Sequence, residues 1–217
     1  MPTLAQANYV KERNTFIREP ILIVGAKMYD YDRCDFRADL KAGGYHDITG
    51  IDLLAGEEVD HQVDLCNKDA DFFKQFENKF NTIICMSVLM CVPNPFIAAE
   101  NLTKVAAPGA SLLLSEPFIH KHTNMPKDHW RFTANALQQI FSSFSFLEDH
   151  FKMVITRSDE ERKYDPNSTM IRVSTKHLEE TVFGYFLRRV TRKFLANGIF
   201  HVSLFPEIAV YALGIKK

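Results

Sequence analysis

The feature that most constrains the fold is an alternation of two apolar patterns along the chain. Short runs rich in branched residues predict buried strands, at 21–24, 48–53, 82–86, 111–115 and 209–214. Segments with helical spacing lie among these strands, at 36–42, 69–78, 95–106 and 134–141. Strands and helices in alternation indicate an α/β fold, doubly wound, with a mostly parallel sheet and helices on both faces.

The last third of the chain has a different pattern. Residues 144–155 are predicted to form one long strand, and the polar segment 157–168 is predicted to be an exposed loop. The pattern of residues 176–200 predicts an amphipathic helix with a basic face. Its apolar stripe would pack on the domain, lie on an anionic membrane or form a homodimer interface. We therefore expect one domain over 1–217, with a helical extension at 1–19 and an insertion at 157–205.

Composition narrows the functional classes. The net charge of the 217 residues is −1, which gives no reason to expect a nucleic-acid partner. The first 20 residues lack the long apolar core of a secretion signal, and no run approaches the ~20 apolar residues of a membrane span. The four cysteines form no CxxC pair, which is typical of reduced thiols. These observations predict a cytoplasmic protein.

Acidic residues recur at the predicted strand ends. Gly25 follows the first strand, Asp52 ends the second, and Asp64 comes soon after. Ligands of such sheets bind beyond the carboxyl ends of the strands. A carboxylate at the end of the second strand can accept both vicinal hydroxyls of a ribose, and Asp64 could approach an adenine amino group. In series, these residues predict an adenosine-containing cofactor.

Several stretches together resemble one family. They are ILIVGA, GIDL, VDLCN, the block from 82 to 118 and DHWRFT. On these stretches, the region from 20 to 146 is similar to class I S-adenosylmethionine-dependent methyltransferases, and within them to small type 11-like domains of surface-glycan and other biosynthetic pathways. The resemblance implies a Rossmann-like seven-stranded sheet with an antiparallel last strand, and S-adenosylmethionine as cofactor.

The resemblance also implies roles for individual residues. Gly25 would lie beside the methionine part of the cofactor, and Asp52 would bind the ribose. The other cofactor contacts implied at these strand ends are Leu53, Asp64, Leu65, Met86 and Ser87.

Two departures from the family pattern stand out. The family has Gly-x-Gly after the first strand, but here Gly25 is followed by Ala26 and Lys27. Either cofactor binding is lost, or side chains of this loop, among them Tyr31 and Asp32, replace the backbone contacts by carboxylate–ammonium and cation–π attraction. In the second departure, Met90-Cys91 stands where many relatives have Glu-His, so a catalytic base must come from elsewhere.

The segment after the fifth strand contains the candidate acceptor-side residues. Imidazoles suit proton removal near neutral pH, so the candidate bases are His120, His122 and His129. Asp128 and Arg131 would contact the substrate or form an internal ion pair, and Trp130 and Phe132 are expected to anchor the loop. No metal site is predicted.

The functional hypothesis is O-methylation of a carbohydrate or small-molecule hydroxyl in a biosynthetic pathway. The alternative is a binding module that keeps the methyltransferase fold without turnover. A nicotinamide-dependent oxidoreductase would need the glycine fingerprint that this chain lacks.

Overall fold

The computed structural model describes residues 3–30, 32–120, 122, 127–155, 160–163 and 207–217. The helices in this part are α1 Leu4–Lys11, α2 Phe36–Ala42, α3 Asp71–Gln75, α4 Pro95–Val105 and α5 Ala134–Ile140. The strands are β1 Ile21–Val24, β2 Ile48–Asp52, β3 His61–Gln62, β4 Phe80–Met86, β5 Ala106–Ile119, β6 Phe144–Phe146, β7 Lys152–Ile155, β8 Glu160–Lys163 and β9 Ile208–Lys216. Across these described residues, no helix has both the length and the apolarity needed to cross a bilayer.

One mixed sheet organises the molecule, with strand order β3-β2-β1-β4-β5-β9-β7-β8. The first five strands are parallel, and β9 is antiparallel to β5 and β7, between which it lies. The predicted α/β class and the antiparallel last strand are confirmed. The described part of the sheet has nine strands rather than seven, because β6 and β8 also pair with it.

The predicted long strand over 144–155 is wrong, because two strands replace it. Phe146 pairs with Gly214 and Lys152 with Tyr211, so this segment advances six residues while β9 advances three. The extra residues leave the ladder as a 3₁₀ turn at Glu148–His150.

The polar segment predicted as an exposed loop contains β8, which pairs with the outer side of β7. Its residues are Glu-Glu-Arg-Lys, and charged residues on an edge strand discourage pairing with a further strand. The predicted helix at 176–200 lies outside the described residues.

Residues of the central strands alternate between two apolar layers. Leu22 and Val24 of β1 belong to the layer on the side of α3, α4 and α5, whereas Ile21 and Ile23 belong to the layer on the side of α1 and α2. β4, β5 and β9 alternate in the same way. This two-sided burial explains why the strands appear as continuous apolar runs in the sequence.

Helix α1 lies against the second layer and is fixed at several points. Thr3 caps it and forms a capping box with Gln6. Tyr9 is fully buried, its ring lies 5.0 Å from that of Tyr211, and its hydroxyl donates to the carbonyl of His150 at 3.0 Å. The N-terminal helix is therefore packed against β9, far away along the chain.

Candidate functional site

Asp52 lies at the carboxyl end of β2 with its carboxylate half-buried. Its Oδ1 accepts the backbone N–H of Leu54 at 2.9 Å, and its Oδ2 accepts that of Lys27 at 3.2 Å. Each carboxylate oxygen has two lone pairs, so each retains an acceptor position after these bonds. The carboxylate is held in one orientation and can still accept two neighbouring hydroxyls.

The loop after β1 contacts the end of β2 and the loop that follows β2. The N–H groups of Gly25 and Ala26 both donate to the carbonyl of Ile51, at 2.9 and 3.0 Å. Ala26 is buried, and the aliphatic part of Lys27 lies beside Gly56. Ala26, the middle residue of the Gly-x-Gly position, is accommodated because its methyl group packs in the core, whereas Lys27 takes the place of the second glycine.

Gly25 is the glycine of this loop that the structure requires. Its φ is +73°, and a Cβ there would lie 2.5 Å from Cγ2 of Val88. Both the left-handed backbone and the close approach of Val88 exclude a side chain at this position.

Asp32 carries one carboxylate oxygen to which no described residue donates. Its Oδ2 accepts the N–H of Tyr29 at 2.9 Å, and its own N–H donates to the Tyr29 carbonyl at 2.9 Å. Its Oδ1 is buried, and no described residue gives it a hydrogen bond. A buried carboxylate oxygen without a donor is costly, so this atom suits a cationic ligand group.

The edge beyond β2 and β3 has an apolar surface beside a carboxylate. Leu53 is 59 % exposed, and Asp64 is exposed with its Oδ1 accepting the N–H of Cys66 at 2.8 Å. Leu65 instead packs in the core, so its side chain does not share this edge with Asp52, Leu53 and Asp64.

Ser87 directly follows β4 and has a left-handed conformation, with φ of +60°. Its N–H donates to the Ser115 carbonyl at 2.6 Å, and its Oγ accepts from Nε2 of Gln6 at 2.9 Å. The same Nε2 donates to Oγ of Ser115 at 3.1 Å. Met86, the neighbouring candidate, is buried in the core. Helix α1 thus contacts the carboxyl ends of β4 and β5.

A buried carboxylate holds the turn that follows Ser87. Glu116 of β5 is fully buried and accepts the N–H groups of Val88, Leu89 and Met90 at 3.1, 2.9 and 3.1 Å. Burial raises the pKa of Glu116 to about 8, although the three backbone donors favour the ionised form. Glu116 therefore fixes the position of Val88 over Gly25.

The acceptor-side segment packs against the same turn. Asp128, whose side chain is 2 % exposed, forms two hydrogen bonds with the Arg131 guanidinium, so the predicted internal ion pair is confirmed. Trp130 donates from Nε1 to the Val92 carbonyl at 2.9 Å, and Phe132 is buried, which confirms that they anchor the loop.

The three candidate histidines occupy different environments. The exposed His122 has its Nδ1 3.7 Å from Oδ2 of Asp128. His129 is exposed, and its backbone N–H donates to the Met90 carbonyl at 2.8 Å. His120 is half-buried, and its carbonyl accepts from Nη2 of Arg131 at 3.1 Å.

Residues 35–151, more than half of the chain, match a family described as a methyltransferase domain. The chain belongs to this methyltransferase-domain family. No curated protein matches it.

Three solved structures with a similar fold are methyltransferases of low sequence identity to this chain. One is an S-adenosylmethionine-dependent methyltransferase from Archaeoglobus fulgidus, with 10 % identity, coverage of 97 % of this chain and 92 % of that chain, and a TM-score of 0.53. A second, from Methanosarcina mazei, has 12 % identity, coverage of 94 % and 96 %, and a TM-score of 0.51. The third is the 1,6-didemethyltoxoflavin-N1-methyltransferase of Burkholderia thailandensis, solved with 1,6-didemethyltoxoflavin and S-adenosylhomocysteine, with 11 % identity, coverage of 98 % and 76 %, and a TM-score of 0.54. At these identities the likeness establishes the fold.

The first two of these structures are S-adenosylmethionine-dependent methyltransferases, and the described residues of this chain fit that cofactor. Asp52 has acceptor positions for the ribose hydroxyls, and the exposed Leu53 offers an apolar surface for the adenine. The Asp32 oxygen that receives no hydrogen bond from the described residues matches a cationic group. Tyr31 lies outside the described residues, and within those residues no three acidic, histidine or cysteine side chains could hold a metal ion.

Two residues of the candidate site were not predicted from the sequence. The sequence does mark Glu116 as unusual, because it is a carboxylate inside an apolar strand pattern. For Gln6, the sequence shows no feature other than its place in a capping box. Its contacts to Ser87 and Ser115 join distant parts of the chain and cannot be read from a local pattern.

Proposed function

We propose that this protein transfers the methyl group of S-adenosylmethionine to a hydroxyl oxygen of a carbohydrate or other small molecule in a cytoplasmic biosynthetic pathway. The observation that carries the proposal is the Asp52 carboxylate. It is oriented by the N–H groups of Lys27 and Leu54 and keeps one acceptor position on each oxygen. Membership of the methyltransferase-domain family supplies the reaction class.

When bound, the cofactor supplies a methyl group on a sulfonium, which is transferred by in-line displacement. The protein then has to position the acceptor hydroxyl and remove its proton. His122 is the proton acceptor that the geometry favours, because Asp128 lies beside its Nδ1 and Arg131 holds that carboxylate in place. A neighbouring carboxylate orients the imidazole and stabilises the imidazolium that forms. His120 and His129 remain alternative bases.

Calorimetry with S-adenosylhomocysteine tests the cofactor assignment. We expect Asp52→Asn to weaken binding by roughly 10-fold or more, because the amide nitrogen cannot accept a ribose hydroxyl and the charge is lost. Asp71→Asn is the matched control, since the Asp71 side chain is 99 % exposed on α3. Equal affinities of the Asp52→Asn variant and the wild type would overturn the ribose assignment.

A second candidate is a binding module without turnover. The close approach of Val88 to Gly25 favours it, because Val88 fills the space on the side of Gly25 where a side chain would lie. The two candidates differ in binding: S-adenosylhomocysteine affinity in the micromolar range supports the enzyme, and its absence supports the module. Contact of residues 176–200 with a membrane, or with a second copy, stays a prediction because those residues lie outside the described part.

A further inference from the structure

The loop after β1 raises the question of what holds the amino-acid end of the cofactor. That end carries an ammonium, which needs acceptors, and a carboxylate, which needs donors. Here the N–H groups of Gly25 and Ala26 are both used by the carbonyl of Ile51. These two N–H groups are therefore not available to the carboxylate, and side chains are the candidates to replace them.

Asp32 has the acceptor that an ammonium needs. One of its oxygens is used by Tyr29, and the other is buried without a hydrogen bond from any described residue. The 29–32 turn, closed by hydrogen bonds in both directions between Tyr29 and Asp32, keeps this carboxylate in place. A charge-assisted hydrogen bond to an ammonium would satisfy the open oxygen.

Ser87 has the donor that a carboxylate needs. The Gln6 amide has one orientation, because its Oε1 accepts the N–H of Thr3 at 2.9 Å and its Nε2 must then face the serines. Ser87 Oγ accepts from Nε2, so its own hydrogen points away from Gln6 and can be donated. The strained left-handed backbone of Ser87 is a feature that clusters at ligand sites.

Asp32 and Ser87 lie in the segments that follow two adjacent strands, at the carboxyl ends of those strands. β1 and β4 are adjacent parallel strands, with Val24 opposite Cys85. The first turn of α1 contacts both loops that follow them: the Thr3 carbonyl lies 3.4 Å from Sγ of Cys34, and Gln6 binds Ser87. The N-terminal end of α1 therefore connects the loop that carries Asp32 with the turn that carries Ser87.

We propose that the amino-acid end of S-adenosylmethionine is bound by side chains, with Asp32 Oδ1 accepting from the ammonium and Ser87 Oγ donating to the carboxylate. Gln6 acts as a positioning residue that orients the Ser87 hydroxyl. The inference rests on the proposed cofactor binding and adds how this chain compensates for the missing glycines.

Two ligands separate this assignment from a structural role. S-adenosylhomocysteine carries the ammonium and carboxylate, whereas 5′-deoxy-5′-methylthioadenosine keeps the adenosine and the thioether without them. By calorimetry we expect Asp32→Asn and Ser87→Ala each to weaken S-adenosylhomocysteine roughly 10-fold, with methylthioadenosine affinity unchanged. Gln6→Leu should reproduce the Ser87→Ala pattern, while the exposed Asp30→Asn is the matched loop control.

Each outcome decides the assignment. Equal losses for both ligands in Asp32→Asn and Ser87→Ala would overturn it, because a structural defect does not distinguish them. Unchanged S-adenosylhomocysteine affinity in both variants would also overturn it. Asp52→Asn should weaken both ligands, since both contain the ribose, and a wild type that binds neither would contradict the proposed function itself.

Discussion

At the scale of single residues, Gly25 joins the cofactor loop to the turn after β4. Its left-handed backbone lets the chain leave β1, and its missing side chain leaves room for Val88. Gly109 has nearly the same φ, +74°, but a Cβ there would meet nothing within 4 Å. The pair therefore separates the effect of backbone conformation from the effect of packing.

We expect Gly25→Ala to lower the free energy of unfolding by about 2–4 kcal/mol, because backbone strain and a steric clash add. Gly109→Ala should cost about 1 kcal/mol, from strain alone. Urea denaturation measures both, and the Val88→Ala change should recover part of the loss in the Gly25→Ala protein. Equal costs at the two glycines would contradict the close contact with Val88.

At the scale of elements, one carboxylate connects β5 with the turn after β4. Glu116 holds the N–H groups of Val88, Leu89 and Met90, and the Met90 carbonyl accepts the N–H groups of His129 and Trp130. The proposed cofactor side and the proposed acceptor side of the site therefore depend on the same carboxylate. A substitution of Glu116 should therefore disturb both the turn after β4 and the segment that contains His129 and Trp130.

The raised pKa of Glu116 predicts a pH dependence of stability. Its ordinary pKa is 4.5 and its folded pKa is about 8, so between these values the folded protein binds one more proton than the unfolded chain. Stability is then lost as pH rises through this window, by up to roughly 1.4 kcal/mol per pH unit.

Melting temperatures of the wild type and Glu116→Gln, measured at about pH 5 and about pH 8, test this sign. The wild type should lose stability relative to the variant as pH rises, because glutamine does not titrate. The exposed Glu100→Gln change on α4 is the control and should leave the wild-type pH dependence in place. A difference between wild type and Glu116→Gln that stays constant with pH would contradict the raised pKa.

The elements also show how far the sequence could predict the fold. The bounds of β1 and α2 were predicted to the residue, because strand and helix periodicities are local signals. Asp52 could be placed at a strand end for the same reason. The break between β6 and β7 could not, since it arises from their unequal register with β9, and the Gln6 contacts depend on a helix docking on distant strands.

At the scale of the whole molecule, α1 ties the start of the chain to its other end. Tyr9 packs on Tyr211 of β9, and its hydroxyl binds the His150 carbonyl. Because Gln6 lies on the same helix, the docking of α1 also determines whether Ser87 is oriented. Stability and cofactor affinity should therefore change together.

Tyr9 variants test this coupling. Tyr9→Phe keeps the ring and should cost about 1 kcal/mol of unfolding free energy, whereas Tyr9→Ala should cost about 3–5 kcal/mol. S-adenosylhomocysteine binding should follow α1, with little change in Tyr9→Phe and a clear loss in Tyr9→Ala. If the Tyr9→Ala protein bound S-adenosylhomocysteine as tightly as the wild type, the docking of α1 would not influence binding at the site.

The position of β9 has a consequence for how the protein is made. Synthesis delivers β9 after every other described strand, yet it fits between β5 and β7 inside the sheet. Until β9 has been synthesised, the edge of β5 in the nascent chain is open to pairing with other chains. This part of β5 contains the apolar run from Leu112 to Leu114. We expect substitutions in β9 to lower the fraction of molecules that reach the native state. The free energy of unfolding of the molecules that complete the sheet should change less markedly.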